Sequence, residues 1–191
     1  GGPTYAAGQV GRAMDFGTAH NGQYVQLMQN GMHDGALDAL AATNEATVSL
    51  WIYGEPTSQP TNDTTFEFAD ASARQLLAHT PYTDQRIYWD VGGGHTDGVH
   101  RIHKLETDST KWEGQWNHYA FVKDGGQSRI YQNGQLWHSG ATTASLGQSV
   151  RGRIGAPVTL SGRSYGGMID DFAIYDEALP DADIAALADG T

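Results

Sequence analysis

The chain has 191 residues, no cysteine, only three lysines and a formal net charge of −11. Such a charge argues against nucleic-acid phosphates and anionic lipid as main partners, since both would be repelled; neutral glycans, cations or basic surfaces fit better. The absence of cysteine excludes disulfides and thiol chemistry, and no apolar run approaches the roughly 20 residues needed to span a bilayer.

The opening Gly1-Gly2-Pro3 is neither a signal peptide nor an anchor, so the chain reads as a mature module of a larger secreted or surface protein. Short alternating runs then follow one another at 24–27, 47–53, 65–68, 86–91, 116–123, 128–132 and 168–175. In the second run Val48, Leu50 and Ile52 share one face, and Thr47, Ser49, Trp51 and Tyr53 the other. Turn signals separate the runs: Asn30-Gly31, Asp34-Gly35, Asp124-Gly125-Gly126 and Asn133-Gly134. The last predicts a two-residue hairpin, because Asn and Gly both tolerate positive φ. Residues 54–62, with Pro56 and Pro60, read as a solvated loop. One helix is predicted, at 181–188, begun after Pro180 and carrying Asp early, where the amide dipoles favour negative charge. Many short strands, 25 glycines and a single helix predict an all-β sandwich of one domain, 1–191.

Five segments in order carry a family resemblance: Asp15-Phe16-Gly17, Val48 to Ile52, Trp116 to Phe121, Arg129 to Gly134 and Gly167 to Leu179. They resemble the "FDG", "TISFWV", "WHHVAF", "LRLYVDG" and "GxIDEVRIYNRALS" segments of the laminin-G-like domains of the concanavalin A-like lectin/glucanase superfamily. The resemblance implies a jelly roll of two antiparallel sheets. It says much less about function, since one fold hosts many sites. The segment Arg74 to Gly94, followed by Arg101-Ile102, resembles a bacterial subgroup with "HLPWSDGxxYWDxG", in which Tyr82 stands here for the subgroup's Trp.

That segment concentrates His79, Tyr82, Asp84, Trp89, Asp90 and Arg101, a mixture suited to a sugar: rings for its C–H face and charged forks for its hydroxyls. The plainer reading is that Tyr88 and Trp89 fill the two faces of a strand. Trp51 and Trp137 are the next candidates for stacking. His95, His100 and His103 invite a transition-metal reading, but their spacing and the flanking glycines favour a solvated binding loop.

In the closing strand a two-residue period would put Asp170 on the apolar face with Phe172 and Ile174. A buried carboxylate needs a partner: calcium, with Asp170 as first and Asp15 as second ligand, or a set of backbone N–H groups. Related jelly rolls tie the early loop to the last strand with such an ion, as the resemblance implies. Catalysis finds little support. The superfamily's hydrolases carry E-x-D-x-x-E on one strand, and Glu106 to Lys111 lacks the final Glu and reads as a turn. His118 reads as a packed strand histidine. Only His79, Tyr82 and Arg101 could imitate a lyase. The expectation is a calcium-stabilised, non-catalytic, extracellular glycan-binding module. A protein-binding or spacer domain of a bacterial adhesin is the alternative, and a glycan-active lyase or hydrolase the third reading.

Overall fold

The computed structural model describes residues 2–28 and 37–190; the expected turns at Asn30-Gly31 and Asp34-Gly35 lie outside them. The described residues form thirteen strands: β1 (Thr4–Ala7), β2 (Arg12–Asp15), β3 (Val25–Met28), β4 (Glu45–Gly54), β5 (Phe66–Ala69), β6 (Arg74–His79), β7 (Arg86–Val91), β8 (Arg101–Leu105), β9 (Asn117–Asp124), β10 (Gln127–Gln132), β11 (Gln135–Ala141), β12 (Arg151–Ile154) and β13 (Gly167–Tyr175). They make a seven-stranded sheet, β1-β2-β13-β4-β9-β10-β11, and a six-stranded sheet, β3-β12-β5-β6-β7-β8. Neighbours within each sheet are antiparallel. The two sheets face each other as a jelly-roll sandwich.

Alternation decides which side chains enter the core. Val48, Leu50 and Ile52 of β4 and Ile169 of β13 meet Phe66, Phe68, Leu76, Ala78, Ile87, Trp89 and Val91 from the other sheet. Burying such side chains is the main favourable term of folding, roughly 1.5–3 kcal/mol for each large apolar group. The strands that alternation missed are β1, β2 and β12, with four residues each; β8 and β11, at sheet edges; and β6, where Leu76, Leu77 and Ala78 in a row break the alternation.

Helix α2 (Asp181–Asp189) follows Pro180 as expected and ends at Gly190, φ 73°. It lies over the outer face of the seven-stranded sheet, where Ile184 packs with Ala120, Val122, Tyr131 and Leu179. The Tyr131 hydroxyl donates to Asp181 at 2.6 Å. A second helix, α1 (Asp38–Thr43), is a correction to the single-helix expectation. It is only six residues long and sends Leu40 into the core. The loop at 54–62 is less solvated than expected, because Gln59 is buried and donates to Asp63 and to the carbonyl of Gly166.

The β10–β11 turn forms as predicted, with Asn133 at φ 50° and Gly134 at φ 76°. It also seats α2, since a Cβ on Gly134 would come to 3.2 Å from both Ala185 and Ala188. Gly125 shares the positive φ, 53°, but has open space around it. Gly134→Ala is therefore expected to cost more in urea unfolding than Gly125→Ala, which bears only the backbone strain of about 1–2 kcal/mol. Equal losses would mean that α2 does not rest on the turn.

Candidate functional site

The outer face of the six-stranded sheet carries a pocket of about 280 Å³. Its floor comes from three adjacent strands. The register sets Leu77 opposite Asp90 and His79 opposite Tyr88 across β6 and β7, then Tyr88 opposite His103 and Asp90 opposite Arg101 across β7 and β8. These residues share the face that points away from the core. Arg74, Leu77, His79, Tyr88 and Arg101 line the pocket, with Tyr82 and the exposed His95 at its edge.

Asp90 is fully buried beneath this floor. Its carboxylate accepts Arg101 Nε at 2.5 Å and Nη2 at 2.6 Å, and Arg74 Nη1 at 2.8 Å. A planar fork on a carboxylate is a strong and directional pair, so both guanidinium groups are held in fixed positions. Arg101 also lies 4.5 Å from the centre of the Tyr88 ring. Tyr88 is fixed at its other end, where its hydroxyl donates to Asp84 at 2.7 Å. Burial first, and then that bond, push the Tyr88 hydroxyl up to about 12, so it keeps its proton.

The opposite wall is a loop between β12 and β13 that brings Pro157, Leu160 and Arg163 over the floor. Glu67, buried on β5, anchors it by accepting the N–H groups of Val158 and Thr159 and the Thr159 hydroxyl. Thr64 N–H donates to the Arg163 carbonyl at 3.0 Å, which closes the far end of the loop.

Of the six residues expected at the site, His79, Tyr82 and Arg101 line the pocket, Asp90 supports it from below, and Asp84 sits on the exposed β6–β7 turn holding Tyr88 and Arg86. Trp89 is a correction. It is 0% exposed in the sandwich core, beside Phe66 and Phe121, and its Nε1 donates to the Val122 carbonyl. The signal was present in the sequence, because Ile87, Trp89 and Val91 alternate as an apolar set that places Trp89 inward. Thr64, Arg74, Pro157, Leu160 and Arg163 were missed as site residues. Three of them come from a loop more than fifty residues further along the chain, which strand pattern alone could not bring here.

A laminin-G family model, described as concanavalin A-like lectin/glucanases superfamily, matches residues 19–185. The chain belongs to that superfamily. No curated protein matches its sequence. Among solved structures it is similar to domain 4 of AbnA, a GH43 extracellular arabinanase from Geobacillus stearothermophilus, in complex with arabinotriose: 24% identity, TM-score 0.70, covering 98% of this chain and 82% of that one. The CBM40 of the Ruminococcus gnavus IT-sialidase, bound to α2,3 sialyllactose, has 14% identity and a TM-score of 0.66, covering 92% and 96%. The botulinum neurotoxin serotype D binding domain has 13% identity and a TM-score of 0.69, and there this chain spans only 45% of the other. At these identities the likeness is one of fold.

The last strand of this lectin-like fold brings a second correction. Asp170 pairs with Trp51 and Ala173 with Ser49, so three steps on β13 match two on β4, and Asp171 takes a φ of 47°. This bulge inserts one residue and shifts the phase of the strand. Phe172 and Ile174 pack against the core, while Asp170 faces outward with Trp51. It is nevertheless buried, beside Gly8 of the β1–β2 turn. Its oxygens accept the N–H of Val10 at 2.8 Å and of Asp171 at 2.9 Å. Asp15 accepts the Gly17 N–H on an exposed turn. Among the described residues no three His, Cys, Asp or Glu side chains gather as metal ligands. Backbone N–H groups are thus the partners that Asp170 and Asp15 show in this structure. His100 closes a turn onto the Thr96 carbonyl, and His103 on β8 lies 3.4 Å from Asp97.

Behind the pocket, Asp63 is fully buried; its carboxyl accepts Gln59 Nε2 and the Gly166 N–H, and its carbonyl accepts His79 Nδ1. A carbonyl can only accept, so His79 carries its proton on Nδ1 and offers the Nε2 lone pair to the pocket. Burial raises Asp63 from 3.8 to about 8 and lowers His79 and His118 from 6.5 to about 4.

Three predictions follow from these placements. Folded Asp63 keeps a proton that the unfolded chain has lost, so its contribution to stability falls as pH rises from about 4 to about 8; the two histidines act oppositely, losing stability as pH falls from about 6.5 to about 4. The wild-type melting temperature should therefore drop between pH 6.5 and 8, and Asp63→Asn should flatten that limb; an unchanged slope would show that Asp63 is ionised in the fold. Trp89→Ala should destabilise by roughly 3–5 kcal/mol, the usual loss for a large buried aromatic, which denaturant unfolding would read; a loss under about 1 kcal/mol would return Trp89 to the surface. For Asp170→Ala the expected loss in denaturant unfolding is about 1–3 kcal/mol from unpaired N–H groups. A loss under about 0.5 kcal/mol would mean that those N–H groups find other partners.

Proposed function

We propose that the chain is a carbohydrate-binding module of a larger extracellular protein, and that its ligand enters the pocket over β6, β7 and β8. The observation that carries this reading is a concave site whose polar groups are fixed before any ligand arrives: Asp90 holds Arg74 and Arg101, and Asp84 holds Tyr88. Such preorganisation lowers the ordering cost of binding. The side chains are of the kind that hold sugars, rings beside charged forks. The segment resembling the bacterial subgroup supplies the floor, and similar folds occur in domains solved with arabinotriose and with sialyllactose. A spacer domain would need none of this.

Chemistry of its own is not part of the proposal. His79, Tyr82 and Arg101, the trio that could imitate a lyase, do meet in the pocket. But His79 at about 4 is a poor base near neutral pH, since proton abstraction works best with a pKa close to the working pH. Of the acids nearest to a hydrolase pattern, Glu106 accepts the Asp108 N–H and Gln132, and Asp108 caps a short 3₁₀ turn. Polyuronates incubated with the domain should release no unsaturated ends. Turnover abolished by His79→Ala would make it an enzyme.

Calorimetry against saccharides that score on an array tests the binding reading. Arg101→Gln and Tyr82→Ala should each weaken binding by about tenfold or more, equivalent to roughly 1.4 kcal/mol, while Trp51→Ala and Trp137→Ala leave it intact. The reverse pattern would move the site to the seven-stranded sheet.

A further inference from the structure

The wall of the pocket is chemically one-sided. Arg74, Arg101 and Arg163 supply guanidinium donors, and no Asp, Glu, Asn or Gln among the described residues lines it. Asp90 lies below, with both oxygens taken. Arg101 gives it Nε and Nη2 and Arg74 gives it Nη1, so each fork keeps further N–H groups for the pocket. Arg163 has no side-chain hydrogen bond or ion pair with any described residue. The other acids of this face are engaged elsewhere: Glu67 by the loop, Asp84 by Tyr88 and Arg86, and Asp97 beside His103.

Three guanidinium groups thus stand over one carboxylate, in a chain whose net charge is −11. Basic charge is concentrated here: of eight arginines, six lie on β6, β7, β8 and β12 or in the loop after β12. A sugar hydroxyl uses both a donor and an acceptor, but the lining offers only hydroxyl and imidazole acceptors, those of Thr64, Tyr82, Tyr88, His79 and His95, and no side-chain carboxylate or amide oxygen. A carboxylate only accepts, and its plane matches the guanidinium fork.

Resting on the glycan-binding reading, we propose that the pocket binds its saccharide through a carboxylate, that of a uronic or sialic acid residue, with Arg163 and the free edges of Arg74 and Arg101 as donors. This reverses the expectation of a neutral glycan drawn from net charge, because the charge of a whole chain averages over two different faces.

The test uses saccharides ending in uronic or sialic acid, each beside its carboxyl-reduced form, with sulfated neutral saccharides as a third arm. Acidic forms should bind at least about tenfold tighter than reduced ones, and added salt should shrink the difference. Arg163→Gln, checked for an unchanged melting curve, should bring the two within about twofold, roughly 0.4 kcal/mol; Arg163→Lys, which keeps the charge but not the fork, should fall between. Equal binding of reduced forms by the wild type would overturn the carboxylate inference and leave the glycan reading standing. Tighter binding of the sulfated arm would also overturn it, in favour of another anion. Failure of every arm to bind would overturn both.

Discussion

Asp90 holds two guanidinium groups at once, and the outer face of the six-stranded sheet is arranged around that constraint. A carboxylate with no exposed surface cannot remain charged without partners, and here Arg74 and Arg101 are those partners. The arrangement adds little to net stability, since desolvating three charges offsets much of their attraction. Removing one member, however, strands the others at a cost of roughly 3–5 kcal/mol. What the network supplies is position. Both forks are locked from the strands on either side of β7, which carries Asp90, so contacts within the sheet hold the pocket floor.

The two sheets divide the work. Helix α2 covers the outer face of the seven-stranded sheet, and even its polar residues are enclosed there: Thr47 accepts the Leu179 N–H, and His118, read from the sequence as structural, is buried against Ser49. Among the described residues, the six-stranded sheet has no such helix on its outer face. Its cover is a loop pinned by Glu67, which leaves room between loop and strands for the pocket. Both sheets use the same device at different places, a buried carboxylate satisfied by local donors, at Asp90, Glu67 and Asp170.

Much of the fold was legible because its signals are local. Alternation in β4, β7 and β9 marks the core face, and Asn133-Gly134 and Pro180 punctuate the chain where the backbone requires them. The bulge in β13 was not legible: a single inserted residue leaves no mark in composition, yet it inverts the face of every residue before it relative to those after, which is why Asp170 was assigned to the core. The site was half legible. Segment 79–101 held most of the floor, Trp89 read there both as a stacking ring and as a core residue, and the wall residue Arg163 reaches the pocket only through pairing of sequence-distant elements. Net charge says little about the pocket for a related reason, since it sums over every surface of the chain.

The most direct measurement is NMR mapping of backbone amide shifts during titration with a saccharide that binds. Perturbations should cluster on β6, β7 and β8 and in the loop from Pro157 to Arg163, leaving α2 and the outer residues of the seven-stranded sheet unmoved. A cluster centred instead on Trp51, Trp137 or the β1–β2 turn would contradict the assignment of this pocket as the binding site.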